Sequence, residues 1–177
     1  MEKTDSFQSD FFRDLQAGFD SGGYATKLTE ETEALPASLR VVVANVGKIE
    51  QDILFEIFFS RNMDPDEENP YSVLNIAATV FTQIPPENFD ELEKACGYCN
   101  RRLILGSLGL LRESGALCCR DATVIRHSYP PETFLQLPVD AFMAIASSLE
   151  VLIDGLAVVA RGMRTTEEAA KEGLFSA

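Results

Sequence analysis

The sequence predicts an α+β domain in which helices pack on an antiparallel five-stranded sheet. Three observations carry this reading. Residues 39–46, 53–60 and 71–84 are three consecutive runs rich in β-branched and aromatic residues, the composition of strands. A short amphipathic stretch at 88–100 follows, and then a strand pair within 102–128. A long apolar pattern of helical period, 138–161, closes the series.

Each element has a local cause. Phe7, Phe11, Leu15 and Phe19 recur every fourth residue, so they form one stripe of a helix over 6–19. Residues 20–38 read as a linker, from Ser21-Gly22-Gly23 to Pro36, with a loose helical turn at 27–34. Gly47-Lys48 and Asp52 mark a hairpin between the first two strands. In the second strand Ile53, Phe55, Ile57 and Phe59 alternate and share one face, while Leu54 and Phe58 make the other face apolar as well. Residues 61–70 are an acidic connection containing Pro65 and Pro70, and Pro85-Pro86 ends the third strand.

Asn88 and Glu91 have the spacing of an N-cap pair, and Phe89, Leu92, Cys96 and Cys99 fall within one arc of the helix they open. Glu113-Ser114-Gly115 turns the chain between strands at 103–111 and 116–125, with Pro130-Pro131 beyond them. Gly106-Ser107-Leu108-Gly109 inside this strand pattern marks a bulge or a close approach. The last helix is expected to start at Pro138, where a missing amide costs least. Its core face is Phe142, Ile145, Leu149, Leu152, Ile153, Leu156 and Ala160. The organisation that follows is an N-terminal helix and linker (1–38), an α+β domain (39–162) and a polar C-terminal tail (163–177), in which 166–171 has the composition of an exposed helix.

The chain has 28 acidic and 15 basic residues and a net charge of −13. Such a surface repels phosphate backbones, so nucleic acid and anionic membranes are excluded as expected partners. The first ten residues lack the basic start and apolar run of an export signal, and 138–161 carries Asp140, Glu150 and Asp154. A cytoplasmic location is expected, where four cysteines remain thiols.

Cys96-Gly97-Tyr98-Cys99 is the most conspicuous candidate for chemistry. A redox pair of this spacing needs its first thiol at a helix N-terminus, where the dipole lowers the pKa. Here the pair lies at the end of its helix on the apolar arc, so core packing is the expected role. A zinc site would also recruit Cys118 and Cys119, but adjacent strand residues point to opposite faces. His127 is the single histidine, sits near a strand end and has no obvious Ser or Cys partner in sequence. The carboxylates cluster in turns, helix faces and tails, the pattern of a solvated surface. No catalytic residue, cofactor or metal is therefore expected. The last helix also has a second face of small residues, Ala144, Ser147, Ser148, Val151, Gly155 and Val158. That face admits a close backbone neighbour, and it is the candidate interaction surface, either a homodimer seam or a partner groove, unless another part of the chain covers it.

The element order resembles that of the type III secretion chaperone-like fold. Within it, 91–161 is similar to the YbjN family of bacterial proteins, described as sensory-transduction regulators. The residues that carry the likeness are Asn100 before Arg101-Arg102-Leu103, Gly106, the Leu110-Leu111-Arg112-Glu113-Ser114-Gly115 hairpin, and Leu149, Leu152 and Ile153. It spans 39–162 by topology and the latter half by motif; the long 20–38 linker departs from the family's tighter start. The resemblance implies a non-enzymatic, dimeric module that binds or regulates another protein. A dedicated chaperone for a secreted client is the first alternative, and a thiol-redox protein the second.

Overall fold

The computed structural model describes residues 2–60 and 71–176. The acidic connection expected at 61–70 lies outside the described residues. The architecture is α+β: α1 (Glu2–Ser21), β1 (Ala25–Thr29), β2 (Ser38–Val46), β3 (Gln51–Phe59), β4 (Tyr71–Phe81), α2 (Phe89–Cys99), β5 (Ser107–Leu111), β6 (Ala116–Arg126), α3 (Pro131–Ala160) and α4 (Thr166–Lys171). The sheet is fully antiparallel in the order β1-β2-β3-β4-β6-β5.

The sheet has six strands rather than five. The additional one, β1, lies in the stretch read as linker and loose helical turn, and pairs with β2 from Ala25↔Val42 to Thr29↔Ser38. Its sequence, ATKLT, carries no apolar alternation because it is an edge strand with most of its side chains in solvent.

Burial is one-sided. On β3, Ile53, Phe55, Ile57 and Phe59 are buried, while Leu54, Glu56 and Phe58 are half-buried. On β4 the buried set is Ser72, Leu74, Ile76, Ala78 and Val80. Helices α1, α2 and α3 cover this inner face. The stripe of α1 packs on β3, with Phe11 and Phe12 rings 5.1 and 5.4 Å from Phe59. Phe142 of α3 sits 4.6 Å from Phe55 and 4.7 Å from Phe19, joining the two helices over the sheet.

Helix α3 starts seven residues earlier than its sequence suggests. Pro131 takes the first helical position and Pro138 lies inside. Proline inside a helix removes a backbone hydrogen bond, but Phe134, Leu135 and Leu137 pack on the core and hold the preceding turns helical. The 30-residue helix is about 45 Å long, enough to run across the whole sheet. By length and composition alone Glu132–Ala160 is apolar enough to cross a membrane, and 56% of its most apolar stretch is buried inside the protein.

Polar contacts fix the helices laterally. Glu150 accepts from the Gly47 amide (3.1 Å), and Asp154 accepts from the Lys48 and Ile49 amides (3.3 and 3.2 Å), so α3 clamps the β2–β3 turn. Gly47 is required there: its φ is +69°, and a Cβ would lie 2.3 Å from Ile153. The expected Asn88–Glu91 cap is absent. Asn88 instead donates to the Ala160 carbonyl at the end of α3 (3.0 Å), and Glu91 accepts from the Thr166 amide at the start of α4 (2.8 Å). Both side chains are therefore tertiary ties rather than local caps.

The C-terminal segment packs on the domain. Thr165 forms a capping box with Glu168, Thr166 and Ala169 are buried, and Phe175 is 1% exposed. Phe175 lies over Gly155 of α3, where a Cβ would meet its ring at 2.4 Å and the Leu174 carbonyl at 2.8 Å. Arg102 donates to the Phe175 carbonyl (2.8 Å) and to the Tyr98 hydroxyl (2.8 Å), pinning the segment from the α2 side.

Two outcomes follow from these contacts. Alanine in place of glycine inside a helix ordinarily adds about 1 kcal/mol of stability. Gly155→Ala is expected to do the reverse and cost about 1–3 kcal/mol by overpacking against Phe175, read from the urea midpoint. The combined Gly155→Ala/Phe175→Ala variant then loses less than the sum of its parts, because the clash partner is gone. The second outcome concerns acid. Lys94 first, and then the Thr166 amide, hold the Glu91 carboxyl down to about 2 from its ordinary 4.5. A depressed carboxylate stabilises the fold above its unfolded pKa and loses that contribution as pH falls through the folded one. Glu91→Gln should therefore cost about 1 kcal/mol near neutral pH, with the difference from wild type closing between pH 4.5 and about 2.

Candidate functional site

The small-residue face of α3 is divided in the structure. Gly155 and Ser148 are buried, Gly155 by the chain's own Phe175, and the Ser148 hydroxyl donates to the Ala144 carbonyl (2.8 Å). Ala144, Val151 and Val158 are half-buried, and Ser147 is exposed. The expectation of a close backbone neighbour at Gly155 is correct, but the neighbour is the C-terminal segment, not the N-terminal helix or another chain. What remains is a groove of about 360 Å³ bounded by Arg102, Ile104, Ser147, Val151 and Phe175, with Ile104 73% exposed.

All four cysteines are free and buried. Phe89, Leu92, Cys96 and Cys99 point inward together beneath the sheet. Burial, reinforced by Glu93, pushes the Cys96 thiol up to about 11. Burial and its neighbour Cys96 push Cys99 up to about 12, and burial, reinforced by Asp121, raises Cys119 to about 12. At neutral pH these three groups are thiols, not the thiolates that nucleophilic or redox chemistry requires. Cys118 pairs across β4–β6 with Thr79 and Cys119 with Ala78, which places the adjacent cysteines on opposite faces of β6. Among the described residues, no group of three or more His, Cys, Asp or Glu side chains is arranged to hold a metal ion.

The structure gives His127 a partner that lies 55 positions away in sequence. Its Nε2 is 2.9 Å from the Ser72 hydroxyl. Strand register creates the contact: Ser72 faces Ile125 on β6, and His127 follows the end of that strand. No local motif could reveal it. A serine beside a histidine is a possible nucleophile–base pair. Here Ser72 is buried, the Phe7 ring covers the imidazole at 4.5 Å, and burial lowers the histidine pKa. The contact satisfies a buried hydroxyl under the amino-terminal end of α1.

The larger feature is the outer face of the sheet. Among the described residues, no helix packs on it. Register sets its rows. Val42, Leu54 and Thr79 lie in line across β2, β3 and β4; Lys27, Arg40, Glu56, Ala77 and Arg120 form the next row across five strands. Phe58, Asn75 and Ala122 follow, then Val73 with Val124, then Tyr71 with Arg126. Leu35 and Pro36 of the β1–β2 loop rise beside Phe58 and Asn75 to form a groove of about 340 Å³ whose floor includes Arg40, Glu56 and Arg120. Arg40 and Glu56 pair at 2.8 Å. Leu54 and Phe58, noted above as making the second face of β3 apolar, were the sequence signal for this surface.

At β5, Asn100 donates to the Leu108 carbonyl (3.1 Å) and accepts from its amide (2.7 Å), occupying the outward hydrogen-bonding pair as a further strand would. This role for Asn100 was not legible from its position at a helix end.

Compared with protein families, curated proteins and solved structures, the chain shows no match.

The thiol environment is checked by labelling. Ellman's reagent at neutral pH is expected to leave Cys96, Cys99 and Cys119 unreacted in the folded protein and to titrate them once guanidinium unfolds it. Rapid reaction of Cys96 in the folded state would contradict the burial described.

Proposed function

We propose that this protein is a non-enzymatic, cytoplasmic protein-binding module that engages its partner through the open face of the sheet. The single observation that carries this reading is that face: Val42, Leu54, Phe58, Val73 and Val124 are apolar, at least partly solvent-accessible and uncovered by any described helix. Surface of this composition is characteristic of interaction sites. A regulatory or chaperone-like role agrees with the resemblance of 91–161 to the YbjN family and of the element order to the secretion chaperone-like fold. The buried, protonated thiols do not favour the redox alternative.

A homodimer is the second reading. Its seam would be the groove around Ser147 and Val151, where Ile104 stands 73% exposed.

Site-specific photocrosslinking separates the two. A benzoylphenylalanine at Val73 is expected to yield adducts with another protein in cells, while the same group at Lys94, on an exposed helix face, yields none. Adducts of the chain with itself from Ser147 would support the dimer. Absence of adducts from Val73 in a correctly folded variant would refute binding through the sheet.

A further inference from the structure

We infer that the open sheet face takes an acidic polypeptide segment whose apolar side chains alternate with Asp or Glu; this rests on the binding role proposed above. The sign of the charge on this face selects that partner. The chain as a whole carries −13, with 28 acidic and 15 basic residues. The outward-facing charges of the sheet run the other way: Lys27, Arg40, Arg120 and Arg126 against Glu56, with Asp52 at the rim. Glu56 neutralises Arg40. Lys27, Arg120 and Arg126 are exposed and make no ion pair among the described residues.

Lys27 lies directly opposite Arg40 across β1–β2; the Glu56 carboxylate is already engaged by Arg40, which leaves Lys27 and Arg120 without a counter-charge in their row. From Lys27 on β1 to Arg120 on β6, four strand spacings apart, the row measures about 19 Å. Arg126 stands six residues along β6 from Arg120, about 20 Å away. The three free cations thus frame an apolar patch that includes Phe58 and Val73. An extended segment of about six residues spans either distance, with carboxylates at its ends and apolar side chains between.

The same face disfavours other occupants. Two copies packed back to back would double the excess of cations. A nucleic acid could meet the cations with its phosphates but has no aliphatic side chains to pack on Val73 and Val124.

Selection from a displayed library of random peptides tests this, using the wild-type protein, an Arg120→Glu/Arg126→Glu variant and a Phe58→Asp/Val73→Asp variant. Circular dichroism confirms that each variant is folded. The expected result is enrichment of peptides rich in Asp and Glu with interspersed apolar residues. Their affinity should fall at least about tenfold on the charge-reversed variant and weaken with added salt. Enrichment of neutral or basic peptides that still require Phe58 and Val73 would overturn the acidic preference and leave the binding role standing. No enrichment beyond that of the Phe58→Asp/Val73→Asp variant would overturn both. Self-association lost on charge reversal, or binding of labelled single-stranded DNA that depends on Arg120, would also overturn the inference.

Discussion

Helix α3 lies along one face of the six-stranded sheet, and the contact between Phe142 and Phe55 at 4.6 Å is the centre of that arrangement. Phe19 of α1 joins the same contact at 4.7 Å from Phe142. The aromatic stripe of α1 fills the space beside α3 over Phe59, and α2 brings Leu92, Cys96 and Cys99 under the other end of the sheet. A two-layer domain buries one sheet face and leaves the other to solvent or to a partner. Here the inner face is closed nearly completely, and the hydrophobic core cluster lies on that side.

The layers are held in register by polar ties at their margins. Glu150 and Asp154 grip the β2–β3 turn, Asn88 grips the end of α3, Glu91 the start of α4, and Arg102 the Phe175 carbonyl. Four of these five tie side chains carry a charge, and a hydrogen bond to a charged group contributes about 1.5–3 kcal/mol, more than a neutral one. A net charge of −13 therefore does not describe an inert acidic surface. Part of it organises the fold.

The functional reading follows from the same geometry. Thiols placed on the inner side are shielded and stay protonated, so the cysteine pair serves the packing of α2. The outer side combines uncovered apolar residues with the opposite charge sign to the chain as a whole. Its charged row, with Arg40, Glu56 and Arg120, lies between the apolar rows of Leu54 and Phe58; in a protein-binding patch such charges select the partner and apolar groups supply affinity. Asn100 occupies the outward amide and carbonyl of Leu108 on the β5 edge.

The sequence by itself determined the antiparallel α+β class, five of the six strands, all three major helices and the inward arc of Phe89, Leu92, Cys96 and Cys99. Each of these rests on a local period of apolar residues that any neighbouring surface would satisfy. It also contained the need for a close neighbour at Gly155, because small residues on a helix declare proximity without naming what approaches. Only the tertiary structure decided the rest. β1 forms because β2 offers an edge, not because ATKLT has a strand pattern. Pro138 stays helical because its preceding turns are packed on the core. Asn88 and Glu91 abandon a local cap for partners some seventy residues away, Ser72 meets His127 through strand register, and Phe175 covers Gly155. The physical reason is common to all of them: periodicity states which side of an element avoids water, whereas the identity of what covers it depends on contacts between residues far apart in the chain.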